Sequence, residues 1–314
     1  MRCPSIRDTG VALFLFLAPP TLQSQDSPES VRVKQDVLWR KMEDSVQSLS
    51  RRADAVVGIA IVDLTDQRSF FQNADAVFPT ASTIKMAVLA ELYRQDETAT
   101  AGGAGAKLGD LYTMDPRDVV DESFILGGLT PGVSRVTNHD LATMMVAVSD
   151  NGATNVLIDR VGMENVNTML ARLGLKETRL RRRMLDVKAA LAGRENTATP
   201  RELVALLSAL YAGRVFSKAT TEAFFTMLGT GKDSYIPRLL PDAVRVANKP
   251  GALTAVRNDA GIVFVNNRPF AIAVMTTFGR DDAASERAIA EISRTAWSYF
   301  DRIGSSSPLG RVVR

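Results

Sequence analysis

Phe78-Pro79-Thr80-Ala81-Ser82-Thr83-Ile84-Lys85, continuing as Met86-Ala87-Val88-Leu89-Ala90-Glu91-Leu92, is the stretch on which the reading of this chain turns. A turn-prone segment holding Pro79 and Thr80 gives way to an unbroken helical run. Ile84, Val88 and Leu92 recur at i, i+4 and i+8, which predicts a helix buried along one stripe. Ser82 is expected in its first turn, with Lys85 three residues on and on the same face, so the ammonium can approach the hydroxyl. A Ser hydroxyl is a weak nucleophile until a base takes its proton, and a Lys is such a base once burial or nearby charge lowers its pKa. Backbone N–H groups at a helix start also favour developing negative charge. An N-capping Ser followed by a surface Lys accounts for the same residues, so this stretch alone leaves both readings open.

Outward from it, the chain divides into strands and helices. Ser27-Pro28-Glu29 starts a helix that runs to about Ser50, with Leu38, Met42, Val46 and Leu49 as its buried stripe. Ala55 to Val62 is an apolar, β-branched strand, and Thr65-Asp66-Gln67 turns it into a partner around Arg68-Ser69-Phe70-Phe71. From Ser82 to about Leu228 the pattern is almost wholly helical, with a Gly-rich linker from Ala101 to Gly109. Thr137-Asn138-His139-Asp140 and Thr199-Pro200-Arg201-Glu202 read as helix starts. Strands return at 244–248, 261–265 and 270–275, and a last helix spans about 284–300. Short hairpin turns favour antiparallel pairing. The expected fold is therefore α+β and two-lobed. Both chain ends contribute to one five-stranded antiparallel sheet flanked by the terminal helices, and an all-helical lobe is inserted between them. The sheet lobe covers about 28–80 and 241–303, the helical lobe about 81–240, and a ligand site belongs between them.

Composition narrows the function. Lys and Arg number 38 against 35 Asp and Glu, a small basic excess that argues against a nucleic-acid binder. The first 25 residues differ from the rest: Arg2 and Arg7 precede the apolar run Val11 to Ala18, which Pro19 and Pro20 end. That is the layout of a secretory signal peptide. It implies an exported protein, periplasmic or secreted, with 26–314 as the mature domain and no stable membrane anchor after cleavage. Cys3 is the single cysteine and lies before the apolar run, so the mature chain has no disulfide and no thiolate metal site. With His139 as the one histidine, a zinc hydrolase is not expected.

Two further segments alter the reading of Ser82. Ser149-Asp150-Asn151-Gly152 closes the Thr137 helix, where Asn and Gly suit a turn needing a left-handed residue. Lys249-Pro250-Gly251-Ala252 leaves a strand, and a plain strand end would explain it. With Ser82-x-x-Lys85 they make S-x-x-K, S-D-N and K-x-G in that order, which resembles the signature of class A β-lactamases and penicillin-binding proteins. The resemblance spans about Val31 to Tyr299 and implies a β-lactamase/transpeptidase-like fold.

What it implies for the site is specific. Ser82 attacks a β-lactam carbonyl and is acylated, Lys85 helps take its proton, Ser149 relays a proton to the lactam nitrogen, and Lys249 supplies positive charge near the substrate carboxylate. Asn151 donates to the substrate side-chain amide, and the N–H groups of Ser82 and Ala252, beside Gly251, form the oxyanion hole. Phe124 stands where the family often has an aromatic at the cleft mouth, or else is a core residue. No cofactor or metal is implied; the partner is a small molecule, a β-lactam or a peptidoglycan-like peptide, acted on by a monomer.

Two departures stand out. Counting from Thr178-Arg179-Leu180 puts Met184 where the family's Ω-loop Glu is expected and Lys188 where its Asn is; counting back from Thr199-Pro200 gives Arg183 and Val187. Neither register supplies a carboxylate. Asp186 is the nearest substitute base, or a loop-capping Asp, and Arg181-Arg182-Arg183 is solvated surface or a hold on an anionic substrate. In the K-x-G triad, Pro250 offers neither the usual hydroxyl nor an N–H. Arg257, in the turn towards the next strand, would compensate with a carboxylate contact or pair locally with Asp259. The expected activity is a serine β-lactamase; the alternatives are a penicillin-binding or D,D-peptidase-like enzyme with slow deacylation, and a non-catalytic binder of cell-wall fragments or β-lactams.

Overall fold

Along Val56–Asp63 the side chains alternate between two interiors. Val57, Ile59 and Ile61 join a cluster with Trp39, Met42, Val46, Ile289 and Ile292, whereas Ala60 and Val62 join one with Phe78, Leu203 and Leu207. A strand buried on both faces must be covered by helices on both. Here Pro28–Arg52 and Asp282–Gly304 cover one face and Pro200–Tyr211 the other. The computed structural model describes residues 28–307 and 309–312; the expected signal peptide lies outside them.

The sheet has five strands in the order Ser69–Gln72, Val56–Asp63, Phe270–Thr277, Val256–Phe264, Arg245–Leu253, every neighbouring pair antiparallel. This is the expected α+β architecture. On the face towards the helical lobe the strands carry small residues: Gly58, Ala60, Ala260, Ala271 and Ala273. Gly58 is required, because a Cβ there would come within 2.6 Å of the Phe78 ring and 2.8 Å of Pro200.

Three boundaries differ from the expectation. The strand read as 244–248 continues to Leu253, so Lys249-Pro250-Gly251 lies inside it rather than at its end. It is an edge strand, the place in a sheet where proline's missing N–H is best tolerated. The strand read from 261 begins at Val256, which takes Arg257 out of the turn and into the sheet. The helical block also contains short two-stranded pairings, Leu111–Thr113 with Arg135–Thr137 and Phe78–Pro79 with Thr197–Ala198.

Lys85–Thr100 is the axis of the inserted lobe. Every residue from Met86 to Tyr93 is buried, so the helix is enclosed all round rather than along one stripe. Helices Asn138–Ala147, Asn151–Val161 and Lys218–Leu228 pack about it. No described helix is long and apolar enough to cross a membrane.

Candidate active site

Ser82 lies within a 3-10 turn, Ala81–Ile84, and the α-helix begins only at Lys85. It is therefore not the capping residue of that helix. Ala81, just before it, adopts φ 50°, a left-handed conformation that L residues avoid unless their surroundings enforce it. The enforcement is visible. Thr80 N–H donates to the Asn196 carbonyl at 2.9 Å, and the buried Asn258 amide donates to the Pro79 carbonyl at 2.8 Å. Gly251 lets the edge strand close on the turn: a Cβ there would lie 2.7 Å from the Thr80 carbonyl and 2.9 Å from the Ser82 nitrogen.

Lys85 and Ser149 meet although 64 residues separate them. The Lys85 Nζ donates to the Ser149 carbonyl at 2.6 Å, the Ser149 hydroxyl at 3.0 Å and the Asn151 Oδ1 at 2.8 Å. With 1% of its surface exposed, the ammonium has lost its water, and burial drives its pKa well below the usual lysine value. The positive charge of Lys249 lowers it further, and Asp150 and Glu122 oppose the shift.

Ser149 is itself the left-handed residue of its turn, at φ 59°. The expectation that Asn151-Gly152 supplied it is corrected: Asn151 opens the next helix, with Asp150 as its N-cap. Asp150 is wholly buried and accepts from the N–H groups of Ile125, Leu126 and Ala153 at 2.8–3.0 Å. It thereby ties the 122–126 segment to the Ser149 turn. Phe124, on that segment, is 64% exposed and so is no core residue.

From the sheet side, the Lys249 Nζ reaches the same Ser149 hydroxyl at 3.1 Å. Burial pulls its pKa down to about 7, helped by the charge of Lys232 and opposed by Asp259. Two buried ammonium groups on one hydroxyl repel each other, so the arrangement favours one of them neutral. Behind the strand, Asp259 accepts from the N–H groups of Tyr235 and Ile236 and from the Asn248 amide, each at 2.9 Å. Lys232, Asp150, Asp259 and Glu122 were not singled out from the sequence. Each sits in a loop, turn or strand interior with no period to mark it; Asp150 is named only as the centre of S-D-N and Asp259 only as a partner for Arg257.

Residues 41–300 match the Beta-lactamase2 model, described as the beta-lactamase enzyme family. The chain belongs to this family. Among relatives, Beta-lactamase SME-1 of Serratia marcescens is 27% identical over 268 residues, 82% of this chain and 88% of that protein. The beta-lactamase of Bacillus licheniformis is 26% identical, covering 84% and 85%. A beta-lactamase structure from Sphaerobacter thermophilus superposes with TM-score 0.74 at 32% identity over 83% of this chain and 97% of that one. PBP-A superposes equally well, TM-score 0.74 at 26% identity over 83% and 96%, and a PBP-A mutant in acyl-enzyme complex with penicillin G gives 0.73.

Against the β-lactamase pattern, the 178–197 loop is organised around itself. Met184 is 6% exposed, and its backbone is clamped by the Asn155 side chain, which accepts from Met184 N–H at 2.7 Å and donates to its carbonyl at 3.2 Å. Of the arginine run, Arg181 and Arg183 lie at the surface as one reading had it, whereas Arg182 is enclosed. Arg181 donates to Thr197, Arg182 pairs with Glu195 at 2.7 Å with 9% of its side chain exposed, and Arg183 pairs with Asp159 at 3.2 Å. Asp186 caps the Val187–Leu191 helix by accepting from Ala189 N–H at 2.9 Å. Arg257 does not pair with Asp259; it is held by Asp282 at 2.7 Å and Glu286 at 2.9 Å and also donates to two backbone carbonyls. Asn151 is engaged on both sides, its Nδ2 donating to Glu122 at 3.0 Å.

Proposed function

We propose that this chain is an exported serine β-lactamase acylated at Ser82. The observation that carries the reading is the environment of Lys85, a fully enclosed amine with a strongly lowered pKa, on the helical turn that presents Ser82. A neutral Lys85 accepts the Ser82 proton as Oγ attacks the lactam carbonyl. The Ser82 and Ala252 N–H groups face the oxyanion, a kind of stabilisation typically worth about 3 kcal/mol per donor. As the ring opens, Ser149 gives its proton to the lactam nitrogen and is reprotonated by Lys249 or Lys85, both of which bond its hydroxyl. Lys249, with Lys232 behind it, provides the positive field for the substrate carboxylate, the role that Pro250 lacks a hydroxyl for and that Arg257 is too committed to fill. Water then hydrolyses the acyl-enzyme. The protein acts on a small molecule, as a monomer and without a cofactor.

A second reading is favoured by one feature. With Met184 buried, Glu195 paired with Arg182 and Asp186 capping a helix, neither acid of the 178–197 loop is dedicated to activating that water. This supports a penicillin-binding or D,D-peptidase-like enzyme whose acyl-enzyme is long-lived. Mixing the mature protein with a chromogenic cephalosporin while weighing it by mass spectrometry separates the two. Sustained product formation supports the β-lactamase, and a single stoichiometric burst with a stable adduct on Ser82 supports the second reading. A protein with no adduct on Ser82 overturns both.

A further inference from the structure

Asn151 is expected to offer its amide N–H to the acyl side chain of the substrate, yet that donor is already taken. Its Oδ1 accepts from Lys85 at 2.8 Å, and its Nδ2 donates to the Glu122 carboxylate at 3.0 Å and, more weakly, to the Asp121 carbonyl at 3.4 Å. An amide has two N–H groups and no more. A substrate carbonyl arriving at Asn151 therefore meets a carboxylate oxygen, acceptor against acceptor.

Glu122 is not there by chance of a floppy side chain. Its backbone is left-handed at φ 58°, and its carbonyl accepts from the Asn151 N–H at 3.2 Å, so main chain and side chain both lock onto the start of the Asn151 helix. Asp150 fixes the following residues through Ile125 and Leu126. Its carboxylate is one of the two negative charges that bear on Lys85. Glu122 itself is exposed, so its carboxylate stays open to a ligand beyond Asn151.

We propose that Glu122 is a specificity-determining residue that selects substrates whose acyl side chain carries an ammonium group. Such a group pairs with the carboxylate in place, whereas a neutral side chain must displace it to reach Asn151. This rests on the acyl-enzyme reading given above for Ser82.

Ampicillin and benzylpenicillin differ by one side-chain ammonium, which makes them the probes. The rate of adduct formation on Ser82 is measured for each with the native protein and with Glu122→Gln and Glu122→Asp. The ampicillin-to-benzylpenicillin ratio should fall about fivefold in Glu122→Gln, the range of a partly exposed ion pair, and be largely kept in Glu122→Asp. The acid limb of the pH profile should also move to lower pH in Glu122→Gln, since Lys85 loses a neighbouring negative charge. An unchanged ratio, or one that falls equally in both variants, overturns the proposal. If Ser82 is acylated by neither compound, the acyl-enzyme reading fails on its own account. Calorimetric binding of the two penicillins to Ser82→Ala, with and without Glu122→Gln, then decides on Glu122. Preference for ampicillin that needs the carboxylate upholds it, and equal binding overturns it.

Discussion

The pocket around Ser149 and the loop over 178–197 both carry several charged side chains, and they use them in opposite ways. In the pocket, two lysines converge on one hydroxyl with no carboxylate bonded directly to either amine. Burial therefore falls on their proton affinity, and both titrate below the usual lysine range. In the loop several charges have an opposite partner or a cap: Arg182 with Glu195, Arg183 with Asp159, Asp186 with a helix start. Paired charges hold a shape, and unpaired ones are left reactive. The same residue types thus make two amines of lowered proton affinity in one region and a clamp in the other.

The largest effect should come from Ser82→Ala. If the pocket is reactive as described, adduct formation with any β-lactam falls by at least about a thousandfold. Thermal unfolding should be nearly unchanged, because Ser82 does not cap its helix. Retained acylation would move the nucleophile elsewhere.

Next comes an exchange that lends the loop what the pocket has, Met184→Glu. A carboxylate clamped at this point by Asn155 would be a general base with a fixed backbone, and such groups contribute about a hundredfold or more when well placed. The acyl-enzyme lifetime should shorten by at least about tenfold, at a stability cost on the order of several kcal/mol for placing an ionised carboxylate at a buried position. An unchanged lifetime would mean that the attacking water is not activated from this loop.

A smaller effect is expected from pH. Lys249 is charged below about 7 and neutral above, because its folded pKa is lowered to that value. Reaction with an anionic β-lactam at low concentration should therefore decline above about pH 7. A bound carboxylate favours the ammonium, so under saturation the decline should shift to higher pH. Lys232→Met removes the neighbouring positive charge that helps depress Lys249 and should move the low-concentration limb upward as well. If the limb stays in place, burial alone sets that pKa.

How far this contrast could be read beforehand follows from where its parts lie in the chain. Ser82 and Lys85 lie three residues apart across the junction of the 3-10 turn and the helix, so spacing alone marks them as neighbours. The apolar, β-branched run in Val56–Asp63 and the capping residues Thr137 and Thr199 are likewise local, and these elements stand where they were expected. Strand ends were harder: Leu253 and Val256 are set by pairing across the hairpin, which no single segment encodes. Glu122 was invisible for a similar reason. Its role exists only because Asp150 folds the 122–126 segment onto a turn 29 residues away in sequence from Glu122. The arginine run was ambiguous because partners such as Glu195 and Asp159 carry no mark of their own.

The smallest effect tests the clamp at its weakest point. Asp186 is the loop acid that could stand in for the missing base, and its carboxylate is exposed at the start of the Val187–Leu191 helix. Asn caps helices about as well as Asp, so Asp186→Asn removes the base and keeps the cap. Stability should change by less than about 0.5 kcal/mol, and the acyl-enzyme lifetime should not change at all. A capping role predicts that result because the carboxylate accepts from the Ala189 N–H through Oδ1, a bond that Asn keeps. An adduct that lingers several-fold longer in Asp186→Asn would break the contrast, since the loop would then hold a reactive charge of its own. The opposite pattern, loss of stability in Asp186→Ala with release unaltered, would leave deacylation to water positioned by the Ser149 pocket, so that the pocket alone accounts for both halves of the reaction.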